Sequence, residues 1–346
     1  MPALKLSILD LSPIPSGHSG RQALLNTLDL ARRADALGYT RYWLSEHHNS
    51  TGLASAAPEV LAGHVADATR RIRVGSGGIM LPNHSSLKVA EVFRLLTSLH
   101  PGRIDLGLGR APGTDSLTAQ ALRRTQFQGD TFGAQLDELL GLLEDRFAPA
   151  PGERGVVAIP DDAPSPELWM LSSSGFGGQV AAEQGLGLAF AHHIHPDPAV
   201  DALLRYRRDF RPSAHFAQPR SMLAVAALCA EDAAEAEHLA ASFDLVRLRI
   251  EQGQTGKFPS VAEAEAYPYE AFEQRRILEN RSRFFVGTPA DLRQRIGDLA
   301  ALAQAEEVMV LTMVHDHAAR VRSYELLAEA FGLKRHPPLR SPIPPQ

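Results

Sequence analysis

The sequence predicts an α/β protein, one (β/α)8 barrel carried by 346 residues. Short apolar runs alternate eight times with stretches of helical period. The length, with 44% hydrophobic residues, suits one large closed sheet better than two small domains. Residues fit for chemistry, or for close backbone approach, gather at the ends of those runs, where such a barrel opens. The clearest are Trp43-Leu44-Ser45-Glu46-His47-His48 and Val74-Gly75-Ser76-Gly77-Gly78-Ile79.

The first run, 5–11, is a strand that Pro13 and Pro15 stop. Apolar residues then recur at three-to-four spacing over 21–37, and Gly38 ends that helix. The same reading pairs strand 41–44 with helix 58–68 and strand 73–79 with helix 87–99. Strand 104–108 leads into a helical region reaching about 147, and strand 168–171 into helix 177–184. Strands at 188–191, 222–228 and 308–312 follow, with helices near 200–210, 232–248 and 318–331. Strands spaced by helices make a parallel sheet, and eight of them close it. Residues 251–285 break the alternation, being polar and too long for an ordinary connection, and are read as an insertion, a candidate lid. Residues 1–333 form the single domain. The tail 334–346, rich in proline, is expected to be disordered.

The charge balance excludes some partners. Lys and Arg number 35 against 40 Asp and Glu, a net −5, with the signs interleaved, so nucleic acid is not expected. One cysteine, Cys229, rules out an intrachain disulfide framework and a cysteine zinc cage. No basic-then-apolar leader is seen at the first residues, and no apolar run nears the roughly 20 residues that span a bilayer, so the expectation is a cytoplasmic protein without a membrane role.

At the strand ends stand Asp10, Glu46, His47, His48, Gly77, Gly78, Arg110, Ser172, Ser173, Ser174, His192, His193, His195, His315 and His317. Two adjacent histidines after a strand cannot both face the core, so one of His47 and His48 faces the mouth. Ser172-Ser173-Ser174-Gly175-Phe176-Gly177-Gly178 joins a strand to a helix, where free N–H groups and the helix dipole attract an anion. It reads as a phosphate cradle, with a plain helix cap as the alternative. Arg110 offers a planar charge to the same anion, a surface ion pair being its alternative. His193-x-His195 and His315-x-His317 raise a metal-dependent hydrolase, but such barrels put His-x-His at the first strand, which here ends in Asp10-Leu11-Ser12-Pro13. No metal is expected.

Three segments in order, Trp43 to His48, Gly75 to Pro82 and Pro101-Gly102-Arg103-Ile104-Asp105-Leu106-Gly107-Leu108-Gly109-Arg110-Ala111-Pro112-Gly113, resemble the bacterial-luciferase-like flavin-dependent monooxygenases. The run Val286-Gly287-Thr288-Pro289-Ala290-Asp291-Leu292 is similar too, so the resemblance spans residue 4 to about 332. Within that family the chain is most similar to the uncharacterised luciferase-like oxidoreductases.

The resemblance implies a TIM barrel that takes reduced FMN as co-substrate, with the isoalloxazine across the mouth and the phosphate near the fifth strand. Gly77-Gly78 then matches a non-prolyl cis peptide beneath the ring. Ser173, Ser174 and Gly177 match the phosphate loop, with Gly177 where the light-emitting enzymes carry a hydroxyl. Arg110 matches a phosphate-binding arginine, and Arg123 or Arg124 a second charge. His47 matches the catalytic histidine, His48 its neighbour, and Glu46 or Asp10 would orient it; Asp10 is counted with the cofactor-binding residues. Gly109 replaces a reactive cysteine, which is expected to open space beside the flavin. The implied reaction uses externally reduced FMN and O2, through a C4a-peroxyflavin, to oxidise a small organic substrate. A separate flavin reductase is implied as transient partner, because no Gly-x-Gly-x-x-Gly run follows a strand and Pro112 spoils the helix start after Gly107-x-Gly109. A homodimer through helices 58–68 and 87–99 is implied as well. The alternatives are a deazaflavin- or FMN-dependent dehydrogenase on the same fold, and a non-enzymatic flavin-binding protein.

Overall fold

In the computed structural model, which describes residues 4–111, 113–122, 132–149 and 154–337, the apolar runs pair side by side into a ring. The strands are β1 (Lys5–Asp10), β2 (Arg41–Leu44), β3 (Arg73–Met80), β4 (Ile104–Gly109), β5 (Glu167–Ser172), β6 (Gly187–Ala191), β7 (Ser221–Cys229), β8 (Phe284–Gly287) and β9 (Glu307–Leu311). Each of β1 to β7 pairs in parallel with the next, and β9 pairs with both β7 and β1, through Met222↔Glu307 and Lys5↔Glu307. Eight strands thus close a parallel barrel, as predicted.

The ninth strand is a departure. β8 pairs with Ala226–Cys229, the part of β7 that projects past β6, while Ala226 pairs with Leu311 of β9 on the other edge. Four residues between polar segments show no measurable period, which is why the sequence hid them inside the insertion. Between β7 and β8 the helix Ala233–Glu251 runs to the predicted start of the insertion, and two short helices follow, Val261–Glu265 and Ala271–Asn280. The connection from β4 to β5 holds Ser116–Ala121 and Phe132–Leu143 rather than one helical region to 147. Of the tail, 334–337 lie as irregular chain against the barrel, where His336 N–H donates to Ala36 O at 2.7 Å; the rest of it falls outside the described residues.

Strand alternation divides the core. Leu6, Ile8, Tyr42, Leu44, Val74 and Leu106 face the surrounding helices, while Leu9, Trp43, Trp169, Met222 and Met309 fill the barrel. Trp43 and Trp169 meet edge to face at 5.7 Å, and a Cβ on Gly187 would stand 2.5 Å from the Trp169 ring, so glycine is required there. Outside, Val60, Leu95 and Leu99 are exposed on helices Pro58–Ala68 and Ser86–Leu99, the two expected to carry the two-fold contact.

The N-terminal end of the ring is plugged by charge. Arg41, 3% exposed, bonds Asp105 at 2.9 Å, Glu167 at 2.8 Å and Glu307 at 3.0 Å, and lies over the Trp169 ring. Arg73 and Trp43 Nε1 also donate to Asp105, the latter at 2.8 Å. Removing the central cation leaves the buried Glu307 carboxylate without a cation and three acidic groups facing Arg73 alone. Arg41→Ala is therefore expected to cost about 3–5 kcal/mol of stability, seen as a lower denaturation midpoint at unchanged slope. A loss under about 1 kcal/mol would mean that water reaches these carboxylates.

Candidate active site

At the opposite, C-terminal end lies a cavity of about 660 Å³. Its floor includes Leu9, Leu171, Ala226, Leu311 and Gly77. The Gly77-Gly78 peptide is cis. A Cβ on Gly78 would stand 2.8 Å from the Gly107 carbonyl, so that position admits no side chain; one on Gly77 would stand 2.8 Å from Leu9 Cδ1 and 3.1 Å from Trp43 Cβ and would have to displace the Leu9 side chain. Gly77 lines the cavity; Gly78 lies against β4 instead.

The Ser/Gly loop forms one wall. Ser172 Oγ donates to Ser174 O at 2.7 Å and accepts from Ser174 N–H at 3.1 Å, which folds the loop tightly. The helix Gly175–Gln184 then begins at Ser174 with no side-chain cap, so first-turn N–H groups keep their bonding capacity at the cavity edge. Ser173, Ser174, Phe176 and Gly177 all line the cavity. A Cβ on Gly177 would come within 2.6 Å of Ser172 Cβ: the Ser172 side chain fills the place that a larger residue at 177 would need. Arg110 enters from the end of β4, its guanidinium 4.3 Å from the Phe176 ring centroid. Arg123 and Arg124 lie outside the described residues, as does Pro112.

Across the mouth, β2 ends in the Glu-His-His cluster, and there the two histidines part. His47 lines the cavity, with Nδ1 3.0 Å from Ser45 Oγ and its backbone N–H bonded to Ser55 O. Burial holds its imidazole below the usual histidine value, with the Glu46 charge pulling the other way. Glu46 does not orient it. The Glu46 carboxylate is buried and receives His48 Nε2 at 2.8 Å, His84 Nε2 at 3.0 Å, Met80 N–H at 2.8 Å and Asn83 Nδ2 at 3.0 Å. Burial alone would raise its pKa, but those hydrogen bonds, His84's first, bring it below the usual carboxylate value.

Asp10 does not reach the cavity either. Its carboxylate is fully buried and bonded to Arg320 and Thr27 at 2.7 Å, Tyr42 OH at 2.5 Å and Ser12 N–H at 2.7 Å, so it fastens β1 to its surroundings. Nor does Gly109 open space. A Cβ there would lie 2.7 Å from Met80 Sδ, because the Met80 thioether occupies the site expected to be empty. The other histidines are scattered. His193 lines the cavity and donates from Nδ1 to Ala224 O at 3.1 Å, its pKa pushed down to about 4 by burial, while His192 is packed near the Phe285 ring and His195 is exposed. His315 contacts Ser16 and His317 pairs with Asp29. Among the described residues no three His, Cys, Asp or Glu side chains are placed to hold a metal.

Sequence reasoning missed Ser45, Met80, Asn83, His84 and the cationic residues of the helix after β7. His84 and Asn83 follow β3 at its mouth end, so the strand-end rule applied to β3 as it was to β2 would have found them.

The roof comes from the insertion and from the loop after β2. Phe258 is 3% exposed and packs with Leu9 and Trp43; its N–H donates to Ile14 O at 2.8 Å and its O accepts Ser16 N–H at 2.7 Å.

The family model described as luciferase-like monooxygenase matches residues 4–306. A protein of Escherichia coli (strain K12) called luciferase-like monooxygenase is 42% identical over 325 residues, 93% of this chain and 96% of that protein. The N-acetyl-S-alkylcysteine monooxygenase of Bacillus subtilis (strain 168) is 33% identical over 332 residues, 94% and 98% of the two chains. Among solved structures, apo-MsnO8 superposes with a TM-score of 0.88 at 38% identity, covering 96% of this chain and 99% of its own.

The Glu46 network also sets a pH signature. Hydrogen bonding to Glu46 raises His84 above the usual histidine value, so its contribution is complete below about pH 6.5 and fades as pH rises through the raised value. Glu46 is lowered, so its contribution is present above its usual carboxylate value, about pH 4.5, and fades as pH falls through the lowered one. Glu46→Gln is expected to lower Tm most between those limits and to flatten the decline expected of the native protein as pH rises above about 6.5. Parallel Tm-against-pH curves for the two proteins would show that His84 does not draw its charge from Glu46.

Proposed function

The chain belongs to the luciferase-like monooxygenase family and is an oxidoreductase, and from that premise we propose that it oxygenates a small organic substrate with externally reduced FMN and dioxygen. The observation that carries this reading is the pairing, on opposite walls of one cavity, of an anion cradle with His47. Arg110, the Ser173 and Ser174 side chains and the uncapped turn at Gly175 to Gly177 suit a phosphate monoester. Gly77, which lines the floor without a side chain, suits the close approach of a flat ring. Reduced FMN, when bound, supplies the two electrons that dioxygen must receive.

The protein's own share is positioning and proton control. His47 is neutral near pH 7, because burial lowers it, and Nδ1 is occupied by Ser45. Nε2 is then the atom that takes or returns a proton at the reacting centre. Phe258 and Leu53 above, and the apolar floor below, keep water away, which would otherwise divert the electrons to hydrogen peroxide. The relative that acts on N-acetyl-S-alkylcysteine supports a small-molecule substrate.

FMN is expected to bind more tightly than riboflavin by about 1.5–3 kcal/mol, the worth of one or two charge-assisted hydrogen bonds. Ser174→Ala and Arg110→Ala should each narrow that gap in a fluorescence titration. Equal binding of the two flavins would reduce the loop to a helix cap.

We also propose a separate flavin reductase as transient partner. Mixed without oxygen with FMN and NADH or NADPH, the pure protein should leave the flavin coloured until a reductase is added. Rapid bleaching by the protein alone would sink the two-component reading.

A further inference from the structure

The cavity carries a second positive pole, which the flavin reading does not use. The helix Ala233–Glu251, after β7, sends Phe243, Val246, Arg247 and Ile250 to the cavity, the three-to-four spacing of one helical face. Arg247 is the exception on an otherwise apolar stripe. Its side chain is 27% exposed, and its one ion-pair partner, Glu251, stands 3.7 Å away, beyond hydrogen-bond range. Glu251 is engaged elsewhere, since Arg276 donates to both its oxygens at 2.7 and 3.3 Å. Among the described residues, then, Arg247 makes no hydrogen bond, although a guanidinium carries five donors in a fixed fork.

Its neighbours do not supply the missing charge. Burial lowers the Arg247 pKa, the Glu251 charge raises it, and Arg283 and Arg276, of like sign, oppose Glu251. His193, on the same wall, is neutral and has committed its Nδ1 proton to Ala224. Arg249 and Lys257 also line the cavity, but each has an engagement of its own: Arg249 sits in the last turn of the helix, where a cation offsets the free carbonyls, 5.9 Å from the Tyr267 ring centroid, and Lys257 Nζ donates to His18 O at 2.6 Å. Nor is Arg247 placed for the phosphate cradle, which is built at β4 and β5 and has Arg110 and a helix start of its own. A planar fork in an apolar cavity calls for an anion that presents two oxygens on an apolar body.

We propose that Arg247 receives the acid group, carboxylate or sulfonate, of an organic acid substrate whose apolar part lies against Phe243, Val246, Phe258 and Met313. This rests on the flavin reading for the chemistry done at the mouth, though not for the binding itself. Anchored there, the acid leaves its far end in the chamber that His47 lines. Specificity follows from the cost of the wrong ligand: a neutral analogue would leave the guanidinium unpaired and newly dry.

The test is calorimetry on the full-length protein, with and without saturating oxidised FMN, using phenylbutyrate, phenylpropanesulfonate and the uncharged phenylbutanol as probes. At least one acid should bind about tenfold or more tightly than the alcohol, and the better of the two names the acid group. Arg247→Met should bring acid and alcohol within about twofold, and Arg247→Lys should keep part of the preference. The advantage of FMN over riboflavin should be unchanged in both variants. Equal binding of acids and alcohol, or a preference that survives Arg247→Met, overturns the assignment. So does loss of the FMN advantage in Arg247→Met, since the guanidinium would then serve the flavin phosphate. If FMN fails to bind while the flavin-free protein still prefers the acid through Arg247, the flavin reading falls and the acid site stands.

Discussion

A carboxylate sealed from water, with four donors on it, decides what this mouth can be. Glu46 gathers His48, His84, Asn83 and the Met80 N–H, and so ties the end of β2 to the turn that follows β3. An ionised carboxyl buried without such partners would be very costly, so the arrangement is all or nothing. Because His48 is pulled down onto Glu46, His47 is left facing the cavity. The same network fixes Met80, whose thioether fills the space beside Gly109 and trims that side of the chamber. One buried charge thus decides which histidine faces the cavity and shapes the wall next to it.

The two ends of the barrel spend charge differently. At the N-terminal end Arg41 and Arg73 pair with Asp105, Glu167 and Glu307. At the C-terminal end the strands stop short of such closure, and the uncapped turn after Ser174, Arg110 and Arg247 line a cavity. The asymmetry follows from parallel pairing. All eight strands deliver their C-terminal loops to one rim, so side chains from β2, β4, β5, β6 and β7 meet there although up to about 200 residues separate them.

Much of this was legible in the sequence. The eight barrel strands were, because alternation of strand and helix period is a signal repeated over the whole chain. The placing of the Ser/Gly loop and the Glu-His-His cluster at the mouth was, because composition at strand ends is local. What could not be read was which neighbour each group would choose. Asp10 sits at a strand end like Glu46, yet Arg320 lies 310 positions away and claims it. Glu46 was expected to serve His47, one residue on, but its carboxylate takes His48 and a histidine from after β3 instead, while His47 bonds Ser45. Arg247 was hidden for a different reason: on a helix its charge looks like any solvated face until the roof is known.

That roof bears on how the chamber opens. The insertion was read as a candidate lid, yet its central segment is fastened to the loop after β1 by two backbone bonds at Phe258, and Lys257 Nζ adds a third link at 2.6 Å to His18 O. Lifting it would expose a Phe that is 3% accessible, costing about 1.5–3 kcal/mol, besides roughly 1 kcal/mol for each backbone bond that water only partly replaces. A cost of that size makes full opening here a rare excursion from a closed state. The segments that flank the anchor are held more loosely, since Gln254 and Thr255 line the cavity while remaining exposed. Passage of a small substrate past those residues needs no break in the Ile14–Phe258 pairing, so the fold can admit a ligand while keeping the water shield over the floor in place.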